Sequence, residues 1–222
     1  MLWVEECCRP LAVVCSRPFG RTELECNAKR EDVHMSTRLP GFKGEYLWEF
    51  DIADRQLTAL AEAFPAERYG WRSAETARSV SEILVHIAVG NLTLLGVVGL
   101  DVAPDLYGKL EGEIVPRMMG MIEKNDGLEK TITDKPAVIV LLRRSLDALR
   151  ATFTTAPDTE LERQDVFFGE RTTVRRVYLR ALSHMHEHMG QLIGYTRAMG
   201  LAAPWPDWRE SGRKIEQGRR VS

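Results

Sequence analysis

The chain has 222 residues, of which 44% are hydrophobic and 28% charged, a composition that is ordinary for one globular domain with an appendage. Thirty Lys and Arg side chains against 32 Asp and Glu give a formal net charge of -2, so the broad positive field of a nucleic-acid-binding protein is missing. No uninterrupted apolar run reaches the roughly 18 residues that span a bilayer, since Gly96 and Gly99 break the most apolar stretch. We therefore expect neither nucleic acid nor a membrane as a partner.

The N-terminal segment differs in composition from the rest of the chain. All four cysteines lie between Cys7 and Cys26, without C-x-x-C spacing, and no clear helical periodicity is present there. Acidic residues and a proline occupy the positions where a secretory signal needs apolar residues, so we expect a cytoplasmic protein. We interpret residues 1–40 as an irregular N-terminal arm. Translation starts at either Met1 or Met35, and in the second case most of the arm is not part of the physiological protein.

Two helices are predicted in the first half of the chain. From Tyr46, apolar residues recur at helical spacing and predict a first helix that ends before Pro65. A second amphipathic pattern predicts a longer helix from about Thr76 to Leu100. Prolines and glycines between residues 101 and 132 indicate a connection with at most one short helical piece.

Two more helices are predicted in the second half. Either Thr133 or Asp134 caps the third helix, and either Thr172 or Thr173 caps the fourth, which ends at Gly200. Four long helices without an alternating strand pattern indicate an all-α protein. The short and long links between them predict a four-helix bundle with a long crossover between helices two and three.

Three of the five histidines lie close together on the fourth predicted helix. His184 and His188 fall on its apolar, inward-facing stripe, while His186 points to the opposite side. Two imidazoles at this i, i+4 spacing are close enough to bind one metal ion, and such spacing is typical of helical metal sites. The alternative is a pair of core histidines whose ring nitrogens are satisfied by hydrogen bonds alone.

A metal site with an open coordination position needs a third ligand from another helix. His86 is the candidate, because it lies on the second predicted helix beside its apolar face. His34 lies in the N-terminal arm, and we assign both His34 and His186 to solvent.

A competing motif overlaps the same residues. The H-E-x-x-H pattern of one class of metallopeptidase fails, because Gly190 stands where it requires histidine. The segment from His184 to His188 does match the inverted H-x-x-E-H pattern, in which Glu187 would be the general base. That interpretation needs a third ligand downstream, and the acidic candidates there are Asp207, Glu210 and Glu216.

Two segments together resemble the DinB/YfiT-like superfamily of four-helix metal-binding proteins: RSVSEILVHIA at residues 78–88 and HMHEHMGQLIGYTRAMGLAAPWPDW at residues 184–208. The resemblance implies a bundle over residues 41–208, followed by a polar tail at 209–222. It also implies that His86, His184 and His188 hold one divalent metal ion, with Gln191 and Glu187 as candidate outer partners.

The resemblance implies one fold but leaves several functions open. Similar proteins include S-transferases of low-molecular-weight thiols, a thiol-dependent isomerase and proteins without a known reaction. We therefore expect zinc, nickel or iron as the metal, and a metal-dependent transfer of a small thiol onto an electrophilic small molecule. The alternatives are a metal-dependent hydrolase and a non-catalytic, stress-related binding or dimerisation module with a structural metal. A homodimer is expected from the resemblance and from the apolar surface that Met118, Met119 and Met121 could offer.

Overall fold

The computed structural model describes residues 41–100, 103–108 and 114–205. The predicted N-terminal arm, the last three residues predicted for the bundle and the polar tail lie outside these ranges. The described part is all-α apart from one small hairpin, and its elements are α1 (Gly41–Ala63), α2 (Val80–Val97), α3 (Pro104–Tyr107), α4 (Ile114–Thr131), α5 (Lys135–Thr155), α6 (Asp158–Leu161), β1 (Gln164–Phe167), β2 (Glu170–Thr173) and α7 (Val174–Ala198). A 3-10 turn at Ala66–Arg68 follows α1.

Helix α2 is the central element of the protein. It packs against α4, α5 and α7, while α1 packs against α5 and α7. Its mean hydropathy of 1.7 over 18 residues would suit a membrane span by length and composition alone, but 78% of it is buried within the protein. Packing on several sides therefore accounts for its apolar character.

One stripe of α2 escapes full burial. It consists of Glu82, His86, Gly90 and Leu94, which recur every four residues and so lie on one side of the helix. The rest of the helix between Val80 and Val97 is buried. The incompletely covered side of the central helix thus carries a histidine.

The capping residues fix where the long helices begin. Asp134 and Thr173 cap α5 and α7, and each side chain accepts a backbone N–H three residues on, which confirms two predicted starts. Helix α2 begins at Val80 rather than near Thr76. Its N-cap is Ser79, whose hydroxyl accepts the Glu82 N–H while the Glu82 carboxylate accepts the Ser79 N–H, a complete capping box.

Helix α4 differs from the prediction of a connection with one short helical piece. It is an 18-residue helix between the one-turn α3 and α5. Gly120 and Gly127 weaken its intrinsic helix propensity by about 1 kcal/mol each relative to alanine. Packing on α2 compensates: Met121 is fully buried, and its Sδ lies 2.8 Å from where a Cβ on Gly96 would be.

The segment before α7 also differs from the prediction, which placed a loop there. Strands β1 and β2 form an antiparallel hairpin in which Gln164 pairs with Thr173 and Phe167 with Glu170. Arg163 fixes its base, since its guanidinium donates to the Val98 carbonyl at the end of α2 and to Asp165. The hairpin is therefore tied to the central helix.

Candidate metal centre

Helices α2 and α7 bring His86, His184 and His188 together. The ring centroid of His86 lies 4.9 Å from that of His184 and 4.6 Å from that of His188. The centroids of the two α7 rings are 4.5 Å apart. One nitrogen from each ring can be chosen so that all three lie within 4.8 Å of one another. The cluster joins residues almost a hundred positions apart in the sequence.

The donor set fits a small divalent ion. The Nε2 atoms of His86 and His184 are 3.1 Å apart. Two nitrogens bound at 2.0–2.1 Å to one tetrahedral ion lie roughly 3.3 Å apart, so these two are already near a ligand separation. Three imidazoles suit zinc, nickel or iron, and they leave a coordination position for a further ligand.

The orientation of His86 is fixed by a buried carboxylate that the sequence did not reveal. His86 Nδ1 lies 2.6 Å from Glu129 Oε1, and an N–H on Nδ1 donates to it, which leaves Nε2 free to bind a metal. Arg78 Nε donates to the other Glu129 oxygen at 2.7 Å. Burial acts to raise the pKa of Glu129, but the hydrogen bonds from His86 and Arg78 outweigh it and hold that pKa below its usual value.

The second outer partner belongs to His188. Its Nδ1 lies 2.7 Å from Gln191 Oε1, so Nε2 again remains for a metal. Gln191 is thus hydrogen-bonded to one of the predicted metal ligands. Glu187 instead accepts two hydrogen bonds from Arg180 and is exposed. The peptidase interpretation needs Glu187 as a base, and the structure gives that carboxylate an arginine partner.

His184 is packed closely against α2. Gly90 of α2 makes room for it, because a Cβ on Gly90 would lie only 2.7 Å from His184 Cε1. Its Nδ1 is buried without a hydrogen-bond partner among the described residues. Burial, together with the neighbouring His188 and His86, lowers the pKa of His184 to about 3, and burial also lowers the pKa of His188. Both rings are therefore neutral at pH 7, the form in which imidazole binds metal.

His186 takes no part in this cluster. His186 is half-buried, and its Nδ1 lies 2.9 Å from the Leu182 carbonyl one turn earlier on α7. His34 lies outside the described residues.

A cavity of about 310 Å³ adjoins the histidine cluster. It lies between the stripe of α2 that carries His86, one side of α4, the part of α7 around His184, and the tip of the hairpin. Its polar lining includes Asn125 and Asp126 as well as the charged Arg78, Glu129 and Arg180. Arg78 pairs with Glu129, and Arg180 pairs with Glu187 outside the lining. Apart from the histidines and Thr93, the rest of the lining is apolar or glycine. A metal held by the three histidines would thus face a space large enough for a small organic molecule.

The loop before α2 holds Arg78 at this cavity. Tyr195 of α7 donates its hydroxyl to the Arg78 carbonyl at 2.9 Å and accepts one from Ser73 at 3.2 Å. The Trp71 ring packs edge-on against Tyr195, with centroids 4.9 Å apart. These contacts join the start of α2 to the end of α7, the two helices that supply the histidines.

Comparison with known proteins shows which family this sequence belongs to. The sequence profile of the DinB superfamily matches residues 49–192. Similar solved structures include a DinB-like protein from Bacillus cereus ATCC 10987, with 19% identity over 75% of this chain and 97% of that chain and a TM-score of 0.46. Another is the DinB-like protein YjoA from Bacillus subtilis, with 21% identity over 74% and 96% and a TM-score of 0.46. No functionally curated protein matches the chain significantly. The profile match spans well over half of the sequence, and the chain therefore belongs to the DinB superfamily.

Proposed function

We propose that this protein binds one divalent metal ion through His86, His184 and His188 and uses it to transfer a small thiol onto an electrophilic small molecule. One observation carries the proposal: three imidazoles converge beside a cavity of about 310 Å³. Among the described residues, no acidic or cysteine side chain joins the three histidines as a fourth metal-ligand candidate. An open position beside a cavity is typical of a catalytic site, whereas structural zinc sites are closed.

The choice of chemistry follows from charge. Three neutral ligands leave the charge of a divalent ion uncompensated, so a bound thiol would be favoured as its thiolate. In the transfer, the sulfur electron pair forms a bond to the electrophilic carbon of the acceptor. Either a leaving group departs with its electron pair, or the π electrons of the acceptor shift onto the neighbouring atom, which then takes up a proton. The thiol proton passes to solvent or buffer.

The residues of the chain have distinct tasks in this proposal. Glu129 and Gln191 keep the Nδ1 protons of His86 and His188 in place, so that both Nε2 atoms would be available to hold a metal. Arg78 holds Glu129 as an anion. The proposed metal is zinc, nickel or iron.

Comparison of metal-free and metal-reconstituted protein tests the proposal. We expect thiol consumption with an electrophile such as monochlorobimane in the reconstituted protein and none above background in the metal-free protein. His188→Ala should lose metal and activity together, while His186→Ala should keep both. Equal turnover with and without metal would remove the metal from the reaction.

The same donor set favours one second function. Three histidines and a water are the coordination of well-known zinc hydration and hydrolysis sites, in which the metal lowers the pKa of the water. Turnover of activated esters without any thiol would identify the protein as a hydrolase. Tight metal binding without either activity would favour the binding or dimerisation module.

The setting of the reaction is part of the proposal. We place the protein in the cytoplasm, where thiols are kept reduced, as a homodimer that binds neither nucleic acid nor membranes. Of the three methionines expected to offer apolar surface to a dimer, Met118 and Met121 are buried and Met119 is exposed. The proposal of a dimer is therefore supported by the family resemblance alone. Light scattering that returns a monomer mass at tens of micromolar protein would contradict it.

A further inference from the structure

The tip of the hairpin holds an aromatic residue in a conformation that suits it poorly. Phe168 and Gly169 form the two-residue turn between β1 and β2, with φ values of +49° and +80°. A turn with positive φ at both positions strongly favours Asn-Gly, because asparagine tolerates the left-handed conformation that a bulky side chain disfavours. Phe168 is therefore not explained by the needs of the turn.

Phe168 is also unfavourably exposed. Its side chain is 70% exposed, the largest value among the exposed large hydrophobic residues of the described part. A left-handed backbone strains a bulky residue, and an exposed ring gains little from burial that could offset this strain. Such features persist at sites where they serve a function, so their coincidence directs attention to what Phe168 faces.

Phe168 lines the cavity that adjoins the histidine cluster. Its ring centroid lies 4.5 Å from that of Phe167, which is buried and lines the same cavity. Helices α2 and α4 add further apolar side chains to the lining: Leu94, Val97, Met118 and Ile122. The hairpin that carries the two phenylalanines is held in place by Arg163, which precedes β1 and donates to the Val98 carbonyl at the end of α2.

We propose that this cavity binds an apolar, uncharged organic molecule and that Phe168 is its principal contact at the cavity mouth. The volume of about 310 Å³ lies at the lower end of the roughly 300–1,000 Å³ found for small-molecule sites. The bound molecule is the electrophilic acceptor, an assignment that rests on the proposed function. Binding itself requires neither metal nor thiol, so it can be measured separately.

The test uses N-phenyl-1-naphthylamine, a neutral fluorophore that brightens in apolar surroundings. We expect saturable binding of one molecule per chain to both metal-free and metal-loaded protein. Phe168→Asn should weaken binding at least tenfold, whereas Phe168→Leu should stay within a few-fold of the natural protein. Val140→Asn is the matched control, because Val140 is 67% exposed on α5 and absent from the cavity lining. It should leave binding unchanged.

Thermal unfolding separates a ligand contact from a structural role. Asparagine suits the turn better than phenylalanine, so Phe168→Asn should raise Tm, by about 2 °C for a chain of this size, while it weakens binding. A lowered Tm would mean that the ring supports the fold, and unchanged probe affinity in Phe168→Asn would overturn the inference. Probe binding that depends on Phe168 in a protein without thiol transfer would reject the proposed reaction and leave the apolar site standing.

Discussion

The Glu129 carboxylate connects the histidine cluster to the rest of the protein. It is buried, and its two oxygens accept from His86 on α2 and Arg78 before α2. A buried carboxylate is stable only when it is paired, and here the pairing also fixes which nitrogen of His86 is free. The arrangement is a carboxylate–histidine pair of the kind that orients ligands at metal sites.

Replacement of Glu129 by glutamine should weaken metal binding without removing a ligand. The amide keeps the shape of the side chain but places an N–H2 group where Arg78 or His86 now donates. We expect the metal affinity to fall by about 10- to 100-fold, the usual effect of losing an outer partner. Competition with a chromogenic chelator measures it. Glu123→Gln, on the exposed side of the same helix, is the control and should have the natural affinity.

The close approach of α2 to His184 depends on a residue without a side chain. Gly90→Ala would place a Cβ 2.7 Å from His184 Cε1, so the ring must move away from its present position. We expect metal affinity to fall at least tenfold, because the His184 and His86 nitrogens would no longer converge.

Another glycine provides the control for that substitution. At Gly194 on α7, a Cβ would meet nothing within 4 Å. Gly194→Ala should therefore raise stability by about 0.5–1 kcal/mol through helix propensity and leave metal affinity unchanged. Chelator competition and urea unfolding measure both effects. Equal metal affinity in the Gly90 and Gly194 variants would contradict the described packing of His184.

At the scale of elements, local signals predicted the helices whose ends are marked by caps. Asp134 before Pro136 and Thr173 before an amphipathic run gave the starts of α5 and α7. The i, i+4 pair on α7 and the single histidine on α2 could be predicted to face inward because helical periodicity is strong there. Ser79 and Glu82 carried the capping-box signal that would have moved the predicted start of α2.

The elements that were not predicted lack such local signals. Helix α4 contains two glycines and many polar residues, and it is stabilised by packing against α2, which no local pattern records. Glu129 lies on α4, and its contact with His86 joins residues 43 positions apart, so its role could not be found without the fold. The hairpin has strands of only four residues and an unusual Phe-Gly turn.

The capping box of α2 should contribute measurably to stability. Ser79→Ala removes the hydroxyl that accepts the Glu82 N–H and leaves only the other half of the capping box, the bond from the backbone N–H of residue 79 to the Glu82 carboxylate. Loss of such a cap costs about 1 kcal/mol, which lowers Tm by about 2–4 °C in a protein of this size. Ser183→Ala, at an exposed position within α7, should change Tm by less than 1 °C and is the control. Equal Tm values for the two variants would show that α2 is held by packing alone.

On the scale of the whole molecule, the core contains several phenols that are buried and hydrogen-bonded. Tyr46 donates to the Tyr178 carbonyl at 3.1 Å, Tyr69 to the Ala61 carbonyl at 2.6 Å and Tyr107 to Asn125 at 2.8 Å. Burial raises the pKa of Tyr46, Tyr69 and Tyr178, and it raises the pKa of Tyr107 to about 12. The folded state therefore keeps phenolic protons at a pH at which the unfolded chain loses them.

The protein should consequently lose stability steeply above pH 10. The unfolded chain binds fewer protons than the folded protein once pH passes the unperturbed tyrosine pKa of about 10, so the free energy of unfolding falls as pH rises. For Tyr107 alone, the difference between about 10 and about 12 corresponds to on the order of 3 kcal/mol lost across that window. Urea unfolding from pH 8 to pH 11.5 measures the decline.

Tyr107→Phe isolates one of these phenols. At pH 8 the variant should be less stable than the natural protein, because Asn125 loses the hydroxyl that donates to it at 2.8 Å. As pH rises above 10 the gap should narrow, because phenylalanine has no proton that the unfolded chain can release and the variant's stability declines less steeply. Parallel stability curves for the two proteins up to pH 11.5 would show that the Tyr107 phenol ionises in the folded protein as readily as in the unfolded chain.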